Sequence, residues 1–391
     1  MSTILSNRVQ KIKPSATLAV SEKAKQLKAQ GAKIVSMGSG EPDFDTPVNI
    51  KNAAIQAISA GETRYTAVDG TPQLKNAICE KFKRENGLDY SVNEVMVSSG
   101  GKQVFYNLCQ AILSNGDEVI IPAPYWVSYP DIAILADATP VFIEAGLEQE
   151  FKITAEQLES SINANTKLFV LNSPSNPTGA VYTKSEIESL GKILERHPHV
   201  NVISDDIYEH IRWEDDAFVN IAMACPNLKD RTIILNGVSK AYAMTGWRIG
   251  YAAGPEEIIK AMKKIQGQST SNPSSISQAA ALEAISGDQS FINIMVEAFE
   301  RRHNFLVDSL NSIDGIECPQ SRGAFYSFPR VQGLIDRLGL KDDVEFSTYC
   351  LDKISLALVP GSAFGAPGYV RLSFATSMDN LKLAIERLSN I

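Results

Sequence analysis

The stretch Thr232-Ile-Ile-Leu-Asn-Gly-Val-Ser-Lys-Ala-Tyr-Ala-Met-Thr-Gly-Trp-Arg-Ile-Gly250 joins the pattern of a buried strand to a reactive amine. Its first residues form a short apolar run rich in β-branched side chains, which predicts a buried strand. Lys240 follows that run, and Arg248 comes eight residues later. A lysine just beyond a buried strand can bind an aldehyde cofactor covalently. Its amine forms an imine with the aldehyde on an electron-withdrawing ring, and this imine replaces the charged ammonium group. Lysine is rarely buried, so an isolated Ser-Lys pair more often lies on the surface. Whether Lys240 binds a cofactor therefore depends on the other segments of the chain.

Apolar runs alternate along the chain with amphipathic stretches of helical periodicity, such as residues 185–196 and 256–265. This alternation predicts an α/β fold in which a mainly parallel sheet is covered by helices on both faces. Besides 232–235, the predicted strands are residues 95–98, 118–121, 167–171, 200–204 and 249–252.

The pattern changes near residue 289, where a long helical pattern begins that extends to residue 311. Short strand candidates then follow around Tyr326, at 356–359 and at 370–374. This change predicts a second, smaller α+β lobe. The Pro-rich segment Gly40–Pro47 is typical of a connector. We therefore predict that residues 1–45 join the small domain, that 46–290 form the large domain and that 291–391 form the small C-terminal domain.

The composition indicates an ordinary globular protein of 391 residues with 44% hydrophobic content. Its formal net charge of −8 disfavours nucleic acid and anionic membranes as partners. Apolar residues nowhere run for the roughly 18 positions that a membrane span needs. Residues 1–13 lack the continuous apolar segment of a signal peptide. We therefore expect a cytoplasmic protein with small-molecule substrates.

The five cysteines are odd in number and widely scattered, and no two are spaced as Cys-x-x-Cys. This pattern argues against a disulfide framework and against a zinc site, and it predicts reduced, mostly buried thiols. The pair in His197-Pro-His199 is more typical of a surface turn than of metal ligation. We therefore expect no metal site.

Polar side chains follow several predicted strands at their carboxyl ends, where open parallel sheets bind ligands. Asn176, Asp205, Tyr208 and Lys240 all come shortly after such strands. A pyridine cofactor held as an imine needs a carboxylate against its ring nitrogen, and Asp205 is the candidate. The ring oxygen needs neutral donors, which Asn176 and Tyr208 can supply. Considered separately, an Asn-Pro turn and a core tyrosine explain these two residues equally well.

The phosphate of such a cofactor needs main-chain donors at a helix start together with a guanidinium group. Ser98-Ser-Gly-Gly-Lys102 follows a predicted strand and precedes a helical pattern at 103–113, so its glycines can bring the backbone close to an anion. Arg248 adds a bidentate fork and Ser239 a hydroxyl. Trp126 offers a flat apolar face to the pyridine ring. A common tight turn and a core tryptophan are the alternatives for the glycine segment and for Trp126.

Together these segments resemble the pyridoxal-phosphate (PLP) aminotransferases of fold type I, in the class I branch, over nearly the whole chain. The most specific part is the ordered set Asn176-Pro-Thr-Gly179, Asp205-x-x-Tyr208, Ser239-Lys240 and Arg248. The resemblance implies a large PLP-binding domain, with a mainly parallel seven-stranded sheet between helices, and a smaller α+β domain. Further segments are similar to bacterial aspartate aminotransferases of subgroup Ib, namely Lys13-Pro-Ser-Ala-Thr17, Gly40–Pro47, Gly100-Gly-Lys102, Pro124–Tyr129 and Ala243–Gly250.

The resemblance implies that Lys240 holds PLP as a Schiff base and then moves the proton between the substrate α-carbon and the cofactor. Asp205 and Tyr208 are the other catalytic residues that it implies. Tyr65 would reach the phosphate of the neighbouring subunit, so the expected working unit is a homodimer with shared active sites. The implied cofactor contacts are Gly101, Lys102, Trp126, Asn176, Asp205, Tyr208, Ser239, Lys240, Arg248 and Tyr65.

For the substrate, the resemblance implies that Arg371 clamps the α-carboxylate, helped by Asn176 and by the main chain near Gly40. Subgroup Ib uses the lysine of Gly-Gly-Lys and a serine of Lys-Pro-Ser for the distal carboxylate. Those roles fall on Lys102 and Ser15. The implied substrate contacts are Gly40, Ser15, Lys102, Trp126, Asn176 and Arg371.

The resemblance thus implies transfer of the amino group of L-aspartate to 2-oxoglutarate in a ping-pong cycle. A lysine is a point charge and lacks the bidentate geometry of a guanidinium group, so it selects less strictly among substrates. Glutamate, prephenate and aromatic amino acids are therefore further candidate substrates. Fold type I also contains carbon–sulfur lyases, so a PLP-dependent lyase is a second hypothesis. A non-catalytic regulator carries a DNA-binding module before the aminotransferase body. That class is disfavoured, since the fold pattern here starts within the first few dozen residues.

Overall fold

Strands and helices alternate along the chain in the computed structural model, which describes residues 5–14, 16–214 and 216–391. The strands, in chain order, are β1 Val35–Ser36, β2 Val95–Ser98, β3 Glu118–Ala123, β4 Thr139–Glu144, β5 Thr166–Asn172, β6 Asn201–Asp205, β7 Thr232–Gly237, β8 Gly250–Ala253, β9 Tyr326–Ser327, β10 Leu356–Ala357, β11 Val359–Pro360 and β12 Val370–Ser373. The helices are α1 Asn7–Lys11, α2 Ala16–Ala29, α3 Val48–Ser59, α4 Pro72–Lys81, α5 Gly101–Ile112, α6 Ser128–Leu135, α7 Ala155–Ser161, α8 Lys184–Arg196, α9 Ile221–Ala224, α10 Glu256–Gly267, α11 Ser275–Ser286, α12 Phe291–Asn311, α13 Gln332–Leu338, α14 Asp343–Ile354 and α15 Met378–Ser389.

The larger sheet contains strands β2 to β8 in the order β2-β8-β7-β6-β5-β3-β4. β8 is antiparallel to both of its neighbours, β2 and β7. The other neighbouring pairs run parallel. Within the described part of the chain, the predicted mainly parallel sheet of seven strands is therefore confirmed.

Helices cover both faces of this sheet because alternate residues of a strand point to opposite sides. In β7, Ile233 and Leu235 pack in one cluster with residues of α5 and α10. Ile234 packs in another cluster with residues of α4 and α11. Every residue of β7 is buried, which explains the apolar run at 233–235. The segment that carries Lys240 thus follows one of the most enclosed strands of the protein.

A separate hydrophobic core lies in the C-terminal part of the chain, where α12 packs against α15 and β9. Strands β11, β12 and β9 form an antiparallel sheet there. β1 pairs in parallel with β10, so residues 35–36 lie beside residues 356–357. This pairing supports the expectation that the segment 1–45 joins the small domain. The domain boundaries themselves stay a prediction.

The structure differs from the sequence expectations at the edge of the larger sheet. β4 was not predicted, because Thr139–Glu144 is mostly exposed or half-buried and contains Pro140, as edge strands tolerate. The predicted connector Gly40–Pro47 contains no helix or strand, and α3 begins directly after it. The cysteines are free and all but Cys79 are buried, as expected. Among the described helices, none is long and apolar enough to cross a membrane.

Candidate active site

A cavity of about 510 Å³ opens beyond the carboxyl ends of β5, β6 and β7. The C-terminal part of the chain closes its far side with Tyr326 and Arg371. Its position follows the general rule for open parallel sheets, whose ligands bind at this edge. The predicted site residues that line it are Gly40, Gly101, Lys102, Trp126, Asn176, Asp205, Tyr208, Ser239, Lys240, Arg248 and Arg371.

Lys240 projects into this cavity from the segment after β7. Its Nζ donates a 2.5 Å hydrogen bond to the carbonyl oxygen of Gly40. Burial, together with the positive charges of Arg371 and Arg248, lowers the pKa of Lys240 to about 8, although the nearby carboxylates oppose this shift. An appreciable fraction of the amine is therefore neutral near pH 7–8, as a nucleophile or a base must be.

Asp205 is the last residue of β6 and its carboxylate is buried at the cavity floor. The hydroxyl of Tyr129 donates to Oδ2 at 2.5 Å, and the amide of Ile207 donates to Oδ1 at 3.3 Å. Burial raises the pKa of Asp205 to about 6, although these hydrogen bonds and Lys240 oppose the rise. A cationic ring nitrogen placed against it would restore its ionised form. The adjacent Asp206 bonds to Ser204 and Asn220 and does not line the cavity.

Tyr208 and Asn176 present neutral polar groups to the same space. Burial raises the pKa of Tyr208 well above its ordinary value, so its hydroxyl stays protonated. That hydroxyl lies 2.9 Å from the hydroxyl of Tyr326. Asn172 fixes the ends of two strands, because its side chain accepts from the Asn176 amide at 2.9 Å and donates to the Asp205 carbonyl at 2.8 Å.

An anion-binding corner forms where α5 begins at Gly101. The first amides of a helix have no partner within it, and the helix dipole favours negative charge there. Gly100 has φ +89°, and a Cβ at this position would collide with the guanidinium of Arg248. The glycine therefore permits Arg248 to approach the helix start. Ser239 lines the cavity with these residues, so the corner can receive a phosphate.

Arg371 supplies a buried cation on the opposite wall and is 2% exposed. Its Nη1 donates to Asn176 Oδ1 and its Nη2 donates to the Gly38 carbonyl, both at 2.9 Å. Its Nε has no partner among the described residues. The ring of Tyr326 lies 4.5 Å from the guanidinium carbon. A buried guanidinium with a free donor fits a carboxylate ligand.

Lys102 lies at the exposed side of the cavity, with its Nζ 5.3 Å from the centre of the Trp126 ring. Partial burial, followed by the charge of Arg248, lowers the pKa of Lys102. Ser15, predicted to act beside it, lies outside the described residues.

Tyr65 does not line the cavity and is 89% exposed on the surface of the chain. Its expected contact with a neighbouring subunit stays a prediction.

Sequence reasoning missed two side chains that complete the site. In the sequence, Tyr129 is only the last residue of a segment similar to subgroup Ib, and Tyr326 is only part of a strand candidate. Each acts through a hydrogen bond to a residue far away in the chain, Asp205 and Tyr208 respectively. Neither local pattern nor spacing signals such a pairing.

The donor set fits PLP. Lys240 supplies an amine, Asp205 a buried carboxylate, and Tyr208 a neutral hydroxyl. The corner at Gly101 and Arg248 can bind one anion, and the Nε of the buried Arg371, which has no partner in the described part of the chain, can bind a second. Fold and site together define a PLP-dependent enzyme of the open α/β type.

Comparison with known proteins gives the same result. Residues 32–388 match the family described as aminotransferase class I and II. The aspartate/prephenate aminotransferase of Nitrosomonas europaea is 58% identical over 99% of both chains, and that of Cereibacter sphaeroides is 54% identical over 98% of this chain and 97% of its own. The chain therefore belongs to the class I and II aminotransferases, and it is a PLP-dependent transaminase.

Solved structures agree with this assignment. The aspartate aminotransferase from Rhizobium meliloti is 48% identical, with a TM-score of 0.95 over 100% of this chain and 98% of that one. The aspartate aminotransferase from Thermus thermophilus with maleate is 43% identical, with a TM-score of 0.94 over 100% of both chains. The fold and the cofactor expected from the resemblance are thereby confirmed.

Proposed function

We propose that this chain transfers the amino group of L-aspartate to 2-oxoglutarate in a ping-pong cycle. The observation that carries this proposal is a pair of cations that face one cavity, the buried Arg371 and the more exposed Lys102. A short dicarboxylate is the class of ligand that two such cations suit. The names of the relatives support the choice, as does the Thermus thermophilus structure with maleate, a four-carbon dicarboxylate.

Each step assigns a task to residues of this chain. Arg371 and Asn176 hold the α-carboxylate, which points the α-hydrogen at Lys240. The lowered pKa of Lys240 lets it take that proton and return it as a general acid/base. Asp205 would lie against the ring nitrogen of bound PLP and would favour the protonated form of that nitrogen. PLP, when bound, withdraws electrons from the α-carbon and stores the amino group between half-reactions.

The phosphate is assigned to the corner formed by Gly101, Ser239 and Arg248. Trp126 and Lys102 lie at the open side, where Trp126 can cover the ring. Ser15 is assigned to the distal carboxylate beside Lys102 from the resemblance alone.

Prephenate is the second candidate substrate, because relatives above 50% identity carry it in their names. It is also a dicarboxylate, and a lysine point charge tolerates a bulkier partner than a guanidinium fork does. The carbon–sulfur lyase hypothesis stays weaker, since a thioether has no use for the charge of Lys102.

We also propose a cytoplasmic homodimer with shared active sites, to which Tyr65 contributes across the interface. The exposure of Tyr65 supports this assignment. The large and small domains expected at 46–290 and 291–391, with 1–45 joined to the small one, fit the separate hydrophobic cores of the two parts.

The test uses the purified holoenzyme and its visible absorbance. Aspartate without an acceptor should bleach the absorbance of the bound cofactor, and 2-oxoglutarate should restore it. A Lys240→Ala protein should show no turnover. Colour that persists with aspartate would refute the substrate assignment, and pyruvate release from cystathionine would favour the lyase instead.

A further inference from the structure

Tyr326 connects the two halves of the cavity, and neither the family resemblance nor the sequence gave it a role. It is the first residue of β9 and is 1% exposed. Its hydroxyl lies 2.9 Å from that of Tyr208, on the cofactor side. Its ring lies under Arg371, with 4.5 Å between the ring centre and the guanidinium carbon. One side chain thus touches both the expected cofactor donor and the expected carboxylate clamp.

The strand register holds this arrangement in place. β9 and β12 are antiparallel, and Tyr326 pairs with Ser373. Arg371 is two residues from Ser373 and therefore projects from the same face of the sheet as Tyr326. A Cβ at Gly40 would come 3.1 Å from the Tyr326 hydroxyl, so the hydroxyl also lies against the segment that accepts the Lys240 hydrogen bond.

The surrounding charges indicate which hydroxyl donates. The ionisable groups that face the pair are Arg371, Asp205 and Lys240. Burial raises the pKa of both phenols, and that of Tyr208 lies well above its ordinary value. The positive charge of Arg371, 4.5 Å from the centre of the Tyr326 ring, opposes this rise at Tyr326, which is therefore the more acidic of the two. The more acidic hydroxyl is the better donor. Tyr208 then accepts this bond and keeps its own proton for another partner.

We propose that Tyr326 is a positioning residue, which donates a hydrogen bond to Tyr208, leaves the Tyr208 proton free for the ring oxygen of PLP, and supports Arg371 with its ring. This inference rests on the proposed function, because it takes from it the tasks of Tyr208 and Arg371. Hydrogen bonds in a chain strengthen one another, so the Tyr326 hydroxyl also makes Tyr208 a stronger donor.

The test is a pH titration of the visible absorbance of the holoenzyme. A donor to the ring oxygen favours the deprotonated chromophore, so loss of that donor raises its apparent pKa. Tyr208→Phe should raise it, and Tyr326→Phe should raise it in the same direction by a smaller amount. The double variant should titrate as Tyr208→Phe alone, because the hydroxyl of Tyr326 affects the chromophore only through Tyr208. Tyr90→Phe is the matched control, since its buried hydroxyl has no partner among the described residues.

A binding measurement tests the ring of Tyr326 separately. Tyr326→Phe keeps the ring, so the Kd for maleate should stay within about twofold of the wild-type value. Tyr326→Leu removes the ring and should weaken binding about tenfold, the range expected for a desolvated cation–π contact. Thermal unfolding of each variant checks that the fold is retained.

Two outcomes would overturn the inference. One is a Tyr326→Phe titration equal to that of Tyr90→Phe, and the other is a double variant whose shift is the sum of both single shifts. Failure of the proposed function would be distinguishable from failure of this inference. In that case the wild-type holoenzyme itself would keep its visible absorbance when aspartate is added.

Discussion

At the scale of single residues, the cavity is lined by two cationic side chains of different chemistry, Arg371 and Lys102. Arg371 is buried, forked and held by Asn176 and Gly38, so its position is fixed before a ligand arrives. Lys102 is a flexible point charge at the open side, over the Trp126 ring. We expect Arg371 to act on every amino acid and Lys102 to act only on those with a second carboxylate.

Lys102→Ala should therefore change substrate preference rather than catalysis in general. Because hydrogen bonds to charged groups contribute about 1.5–3 kcal/mol, kcat/KM for aspartate should fall about 10- to 100-fold. The values for phenylalanine should stay within about twofold. A specificity series with aspartate, glutamate, prephenate and phenylalanine measures this. Lys264→Ala, at an exposed position of α10, is the control, and an equal loss for all four substrates would contradict the assignment.

Asp205 gives a stability prediction for the cofactor-free protein. Burial raises the pKa of Asp205 from its ordinary value of 3.8 to about 6, so the folded chain binds this proton more tightly than the unfolded chain does. Below pH 4, Asp205 is protonated in both the folded and the unfolded chain and does not change the free energy of unfolding. As pH rises from 4 to about 6, the unfolded chain releases this proton first, and the fold is progressively destabilised. Asp205→Asn should raise the free energy of unfolding by about 2–3 kcal/mol at pH 8.

Urea unfolding of the two cofactor-free proteins at pH 4 and pH 8 checks this. The difference between them should nearly vanish at pH 4. The buried Asp206 is present in both proteins and cancels from the comparison. A constant difference at both pH values would mean that the carboxylate is not destabilising.

The individual site residues differ in how far the sequence could predict them. Asp205, Asn176 and Lys240 were predictable, because residues just after parallel strands meet at one edge of the sheet. Tyr129 and Tyr326 were not, since their partners lie 76 and 118 residues away in the chain. Only the packing of separate segments brings such hydroxyls together.

At the scale of elements, the turn after β6 carries Tyr208 and is held in place by the hydrogen bonds of the next residue, Glu209. This buried carboxylate accepts from Lys81, the last residue of α4, and from Asn236 at 2.7 Å and Asn86 at 3.2 Å. Burial alone would raise the pKa of Glu209, but Lys81 and His210 outweigh it and lower the pKa. Glu209 also comes close to Glu85 and His210, as metal ligands do, but the Lys81 ammonium already bonds there.

Lys81→Met should destabilise the protein by about 3–5 kcal/mol, because it leaves the Glu209 carboxylate buried without its main counter-charge. Chemical denaturation with and without PLP measures the loss. Lys51→Met removes an exposed ion pair to Asp45 and should leave the denaturation midpoint nearly unchanged, because water screens such pairs. Equal effects of the two changes would show that the buried pair does not stabilise the turn.

Elements were predictable from the sequence where burial is complete. β5, β6 and β7 are apolar on both faces because helices cover them on both sides, and their runs were visible. β4 was not predicted because it is a half-exposed edge strand, and β1 was not predicted because two residues show no periodicity. The strand candidate at 356–359 contains β10, but the sequence did not indicate that β10 pairs with β1. Their pairing depends on chain segments about 320 residues apart, which local patterns do not encode.

At the scale of the whole molecule, the surface near Tyr65 is unusual for a monomer. Tyr65 is 89% exposed, and α3, which precedes it in the chain, exposes Val48, Ile55 and Ile58. Apolar side chains gathered on one exposed element are typical of a surface that a partner covers. The expected homodimer would bury them and bring Tyr65 to the phosphate of the neighbouring site.

Subunit mixing tests whether the active sites are shared. Tyr65→Ala and Lys240→Ala should each form weakly active or inactive homodimers. In a mixed dimer, the subunit that keeps Lys240 receives an intact Tyr65 from its Lys240→Ala partner, so one of its two sites is complete. Random exchange of equal amounts should therefore recover about a quarter of wild-type activity. If Tyr65 served its own subunit, mixing would restore nothing, because each chain would keep its own defect.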